Sequence, residues 1–236
     1  MKFSRWFFII MALFFIVTAV AGFVPDYKMM AAQHISVWWF AHVHGALLTL
    51  WLLVYLTQAI LASNGRLSIH KKLGQFSVVL GAMVWISMGV VIFHAHIGYP
   101  PRPHIAWAVV VMLATIMNLF GIFFILGIWY RKNAAVHKRL LVLATLMLIA
   151  AGFNRVLFSH GVEPNLHWPF IAAITGPSKL GIPNPSGIFL YNDLLLLLLF
   201  IYDLITIRKI HRVTILSTAA IVIIHFILIV CWSRLP

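Results

Sequence analysis

A chain of 236 residues that is 63% hydrophobic and 9% charged, with a mean hydropathy of +1.03, cannot cover a water-facing surface, so lipid is its solvent. The net charge of +13 does not make it a nucleic-acid binder, because the cations stand in short clusters between apolar runs, where they mark topology. One cysteine, Cys231, excludes an internal disulfide.

The expected fold is all-α: a polytopic transmembrane helix bundle of about seven spans forming a single integral membrane domain, residues 1–236, at about 20 apolar residues per span. The first span lies near 5–23. Lys2 and Arg5 precede it and Ala19-Val20-Ala21 resembles a signal cleavage site, but the segment is read as a retained anchor. The second, near 36–62, holds His42 and His44. Residues two apart on a helix diverge by about 200°, so one of them faces inward. His44 is the better inward candidate, since Gly45 leaves room beside it and Trp51, Tyr55 and Gln58 continue its stripe.

After Gly65-Arg66 and Ile69-His70-Lys71-Lys72-Leu73-Gly74 comes a third span, near 74–97, with Ser77 and Gly81 as a small-residue contact and Trp85 a turn beyond. It closes on His94 and His96, which can converge if the helix end unwinds before Gly98-Tyr99-Pro100-Pro101. The fourth span, near 105–130, opens beside His104. Val136-His137-Lys138-Arg139-Leu140 leads into the fifth, near 138–159, which carries Arg155 and ends at His160. The loop 160–187 contains Pro164, Pro169, Pro177, Pro183 and Pro185 with Trp168 and Phe170, and is expected to lie over the bundle as a cap. The sixth span, near 188–206, carries Asp193 and Asp203. Ile210-His211-Arg212 follows, and the seventh span, near 212–233, carries His225.

Twelve of the seventeen Lys and Arg fall on one side of this arrangement. The positive-inside bias therefore expects a cytoplasmic N-terminus and an outer C-terminus in a multi-pass protein of the bacterial inner membrane. An apolar residue, a histidine and a cation recur at three inner helix starts, which suggests duplicated helical hairpins. Interfacial cations are expected there in any case, and an anion site for lipid phosphate or haem propionate is the sharper alternative.

Ionisable groups inside spans are costly and point to function. His44 and His225 lie about 12 Å below the outer helix ends, and Arg155 and Asp193 within about 8 Å of them. Imidazole suits haem iron, copper and zinc. His44, His94 and His225, with Arg155 on a propionate, are thus the candidate cofactor set for haem b. His44, His96, His104 and His160 are the candidate metal ligands for copper or zinc. Arg155 is otherwise expected to pair with Asp193.

The histidine-bearing second helix, Gly65-Arg66…His70-Lys71-Lys72-Leu73-Gly74 and His137-Lys138-Arg139 resemble an uncharacterised family of bacterial multi-spanning membrane proteins with a His-Lys/Arg loop signature. That family distantly resembles b-type cytochrome and ferric-reductase-type membrane domains. The likeness covers roughly residues 42–160, with Lys71 where the family pattern has Arg, and without the evenly paired histidines of a di-haem bundle. It implies a haem-binding electron carrier or redox subunit with a membrane redox partner or quinone. The alternatives are a non-haem metal-dependent membrane enzyme or metal handler, and a non-redox transporter-like or assembly protein.

Overall fold

The computed structural model describes the backbone of residues 3–97, 103–162 and 186–232, and the side chains of 6–94, 110–162 and 186–232. The described residues form seven helices: α1 Phe3–Ala32, α2 Trp39–Ser63, α3 Leu67–Ile97, α4 Pro103–Trp129, α5 Ala134–Ser159, α6 Ser186–Ile207 and α7 Arg212–Trp232. All seven are long and apolar enough to cross a membrane, and no strand occurs among the described residues. The bundle is an integral membrane protein. The cap expected over 160–187 falls mostly on 163–185, outside the described residues.

Two expected boundaries move for physical reasons. The first span does not stop at 23: α1 runs through Pro25 to Ala32 and so carries Asp26 on a helix. Proline is tolerated in membrane helices because neighbouring groups satisfy the freed backbone. The His-Lys signature is also helical, not a loop. α3 begins at Leu67 and α5 at Ala134, where the Asn133 side chain accepts from the backbone N–H groups of Ala135 (3.2 Å) and Val136 (3.3 Å). Gly65, at φ 71°, turns the chain between α2 and α3.

Helices α1 to α5 close into a ring. α1 packs on α2 and α5, and α2–α3, α3–α4 and α4–α5 are neighbours. α6 and α7 form a hairpin laid against α5, with α6 also touching α1 and α7 touching α4. α5 is therefore the hub, and 61% of its spanning window is buried, against 22–33% in the other six. Inside the ring, Trp51 donates to the Thr145 hydroxyl (3.3 Å) and meets Phe120 and Phe124 edge-on, with ring centres 5.5 and 5.4 Å away. Gly81 makes room for the Phe124 ring. α1 and α5 cross at Gly22 and Gly152, so close that a Cβ on Gly22 would strike the Gly152 backbone.

Cross-helix contacts divide the bundle into two ends. The basic face holds the start of α1 and the α2–α3, α4–α5 and α6–α7 connections, with His70, Lys138 and Arg208. The far face holds the opposite helix ends, with Asp26, His44, His94, Arg155 and His160.

Candidate functional site

The last hairpin carries two carboxylates on one helix, ten residues or about 15 Å apart. Asp193 sits two turns in from the far-face end of α6. Its Oδ1 accepts from His225 Nδ1 on α7 at 2.8 Å. His225 is 3% exposed and stacks on Phe189, ring centres 4.4 Å apart. Asn154 on α5 and Asn192 on α6 lie at the same level, about 8–11 Å below the far-face helix ends. Both are buried, and each has a carboxamide oxygen without a hydrogen-bond partner. A buried acceptor left unpaired in an apolar span is costly, so this layer holds polar capacity that the described residues do not use.

At the basic face the second carboxylate, Asp203, is saturated. Its Oδ1 accepts from Arg139 Nε at 3.0 Å and from Arg139 Nη2; its Oδ2 accepts from the Thr214 hydroxyl at 2.6 Å and the His211 backbone N–H at 3.0 Å. Arg139 spends its remaining terminal nitrogen on the Ala135 carbonyl (2.6 Å) and lies over the Tyr202 ring. Lys138 donates to the Tyr202 hydroxyl at 2.6 Å. Burial, and then the Arg139 charge, hold the His211 imidazole below its ordinary value. The neutral ring leaves Nδ1 free to accept from the Val213 N–H at 3.2 Å. This end is an ionic lock.

Between the two carboxylates the hairpin is packed mainly with apolar side chains: Leu196 and Leu199 on α6 and Ile221 on α7 are almost fully buried, with the Ser217 and Thr218 hydroxyls on the same stretch of α7.

The other predicted residues separate. His44 Nδ1 meets the Ser87 hydroxyl on α3 at 2.9 Å, while that hydroxyl spends its own proton on the Val84 carbonyl (2.8 Å). His44 Nδ1 must therefore carry the hydrogen, which leaves Nε2 with a lone pair. His42 is exposed, beside Tyr27. His94 is exposed and stacks on Trp38 with centres 3.7 Å apart. Because Ser87 marks the level of His44, His94 lies two turns, about 10 Å, nearer the far face. The expected depth match of His44 with His94 does not hold. His44 bonds to Ser87 on α3 and His225 to Asp193 on α6, so the two histidines have different partners. His160 bonds within its own helix end, to the Val156 carbonyl at 2.8 Å. The side chains of His96 and His104 lie outside the described residues. Among the described residues no three His, Cys, Asp or Glu side chains gather as a metal site.

Arg155 does not pair with Asp193. Its Nε donates to Asp26 at 2.8 Å, and its guanidinium covers Phe23. The helical extension of α1 past Pro25 supplies this nearer partner, and Asp193 is taken by His225. Sequence reasoning misses Arg139, which reads as one more interfacial cation. The available signal was Asp203: an intramembrane carboxylate needs a counter-charge, and Arg139 is the arginine at its level.

Comparison of the chain with protein-family models, curated proteins and solved structures returned no match. The likeness to b-type cytochromes stands on the quoted residues alone.

Proposed function

We propose that this integral membrane protein is a proton-coupled carrier of a small polar solute, with its proton site at His225–Asp193. The observation that carries the reading is this carboxylate–imidazole pair in a spanning hairpin, its imidazole buried and its carboxylate partly so, at the level of two amide oxygens unpartnered among the described residues. Intramembrane His and Asp pairs serve as proton relays because either member can gain or lose a proton while the other balances the charge. Asp193 orients the ring through Nδ1 and stabilises the imidazolium formed when Nε2 takes a proton. Asn154 and Asn192 offer acceptors to a solute donor. The packed apolar layer of Leu196, Leu199 and Ile221 favours a carrier over a continuous water-filled channel, and the saturated Asp203 lock closes the basic end. Under the positive-inside bias the basic face is cytoplasmic, so the site opens to the outside of a bacterial inner membrane.

The test is potential-driven proton uptake into proteoliposomes that trap a pH dye, with a panel of amino acids, small amides and sugars offered outside. Wild type should acidify the lumen faster than empty vesicles, and Asp193→Asn and His225→Gln should each return the rate to that of empty vesicles. Wild-type flux equal to empty vesicles, or unchanged flux in folded Asp193→Asn, overturns the proposal.

A second reading, His44 as a haem or metal ligand in a redox subunit, is favoured by one observation: Ser87 fixes the tautomer that leaves Nε2 unprotonated, as ligating histidines require. Purified protein should then show a Soret band or bound metal that His44→Gln removes. Equal cofactor content in both proteins, or none in either, removes His44 from the ligands.

A further inference from the structure

The basic face carries a second set of chemistry-bearing groups, away from the hairpin. His70, in the first turn of α3, and His137, in the first turn of α5, bring their rings to 6.4 Å between centres at 89°. His137 is anchored on backbone: its Nδ1 donates to the carbonyl of Gly127 at 2.7 Å, near the end of α4. A main-chain carbonyl has no proton to give, so Nδ1 carries the hydrogen and Nε2 carries a lone pair. His70 Nδ1 is buried with no partner among the described residues. Gln58 turns its amide nitrogen to the Ser77 hydroxyl at 3.3 Å, which leaves its side-chain oxygen Oε1 buried and also unpartnered.

At one end of the bundle, therefore, His70 Nδ1 and Gln58 Oε1 are buried without a partner among the described residues, and His137 Nε2 carries a lone pair. Such a set calls for a cation. Two features separate it from a chance pair of interfacial histidines. A histidine that binds a metal characteristically gives its other ring nitrogen to a carbonyl or carboxylate, and His137 has such an anchor in Gly127. Two imidazoles on one ion, each about 2.0–2.1 Å from it, place their ring centres about 5 Å apart at a tetrahedral angle and about 6.4 Å apart when trans, so the spacing here is that of a trans pair, and crossed planes keep the rings from colliding. The surrounding lysines do not compete for the same space: Lys71 and Lys72 are exposed, and Lys138 is held by Tyr202.

We propose that His70 and His137, with the Gln58 side-chain oxygen, bind a dication of the Cu2+ kind at the basic face, the two imidazoles trans and solvent completing the coordination. Imidazole nitrogens suit this ion, and Cu2+ heads the first-row affinity order. The site clamps the starts of α3 and α5, two helices otherwise linked through α4. It is independent of the proton site at the far face.

The experiment uses full-length protein in detergent with the exposed His34, His42, His94 and His160 changed to Gln, so that loose surface binding is removed. Cu2+ is titrated in, and nitrogen hyperfine structure is read by electron paramagnetic resonance. One tight equivalent with two imidazole nitrogens is expected. His70→Gln and His137→Gln should each weaken it at least tenfold, and Gln58→Leu by a smaller factor. If those variants fail to fold, the nitrogen count in the parent decides: one imidazole or none overturns the site. Absence of a stoichiometric equivalent in the parent, or equal affinity in folded His70→Gln and His137→Gln, also overturns it and leaves a bridging water as the occupant.

Discussion

Arg139 and Asp203 stand 64 residues apart in sequence and share one buried ion pair. With side chains 2% and 0% exposed, neither charge has water to fall back on. Removing one partner of such a pair strands the other, at about 3–5 kcal/mol, whereas replacing both with apolar residues of similar volume is often neutral. Arg139→Gln and Asp203→Asn are each expected to lower the unfolding midpoint in detergent by many degrees, and Arg139→Met/Asp203→Leu to recover most of the loss. A double variant as unstable as the singles would show that the hydrogen bonds to Thr214 and His211 matter more than the charge balance. The Arg155–Asp26 pair makes the opposite case. Both side chains are about two-fifths exposed, so solvent screens the attraction and Arg155→Gln should cost no more than about 1 kcal/mol. At this scale the sequence is informative about which residues are costly and poor about their partners. Asp203 and Asp193 are recognisable as intramembrane charges. Arg139 is hidden in a run of cations that topology already accounts for, and Asp26 behind a proline that ordinarily ends a helix.

Among the elements, the seven helices are legible because apolar runs long enough to span lipid are rare in chains that fold in water. Which face of each turns inward is far less so. Lipid-facing and core-facing side chains are both apolar in a membrane bundle, so the periodic contrast that marks a soluble helix fades. The stripe of Trp51, Tyr55 and Gln58 is an exception, because amphipathic side chains reveal the inner face by their need for partners. Gly22 and Gly152 carry no such sign, being two small residues 130 positions apart. Their crossing predicts a graded series. A methyl on Gly22 meets Gly152 backbone, which has nowhere to move; on Gly152 it meets a Phe23 ring edge at 3.3 Å and the Thr18 carbonyl at 3.3 Å; on Gly45 the nearest atom is the Tyr27 hydroxyl at 3.7 Å. Loss of thermal stability should therefore run Gly22→Ala, then Gly152→Ala, with Gly45→Ala near wild type. Equal effects at Gly22 and Gly45 would contradict the close α1–α5 crossing.

For the whole molecule, the crossings and a side preference can be read from the residues, but not the arrangement of a five-helix ring with a hairpin against its hub. That arrangement rests on contacts between distant segments, and a single chain of uniform apolar character does not encode them visibly. The side preference itself is open to measurement. Reporter fusions after Pro236 and within 131–137 should report opposite compartments, with the 131–137 site cytoplasmic. Reporters on the same side would remove one of the three crossings between those points and with it the seven-span arrangement.

The wide spacing between Arg139 and Asp203 bears on how the protein is made. Synthesis runs from the N-terminus, so Arg139 leaves the ribosome 64 residues ahead of its counter-ion. A partnerless arginine is least costly where its long side chain keeps its head in interfacial water, here the basic end. Arrival of the last hairpin supplies the carboxylate. A nascent chain interrupted before α6 would thus hold an unbalanced cation at the membrane surface, a ready mark by which quality-control machinery could tell an unfinished copy from a finished one.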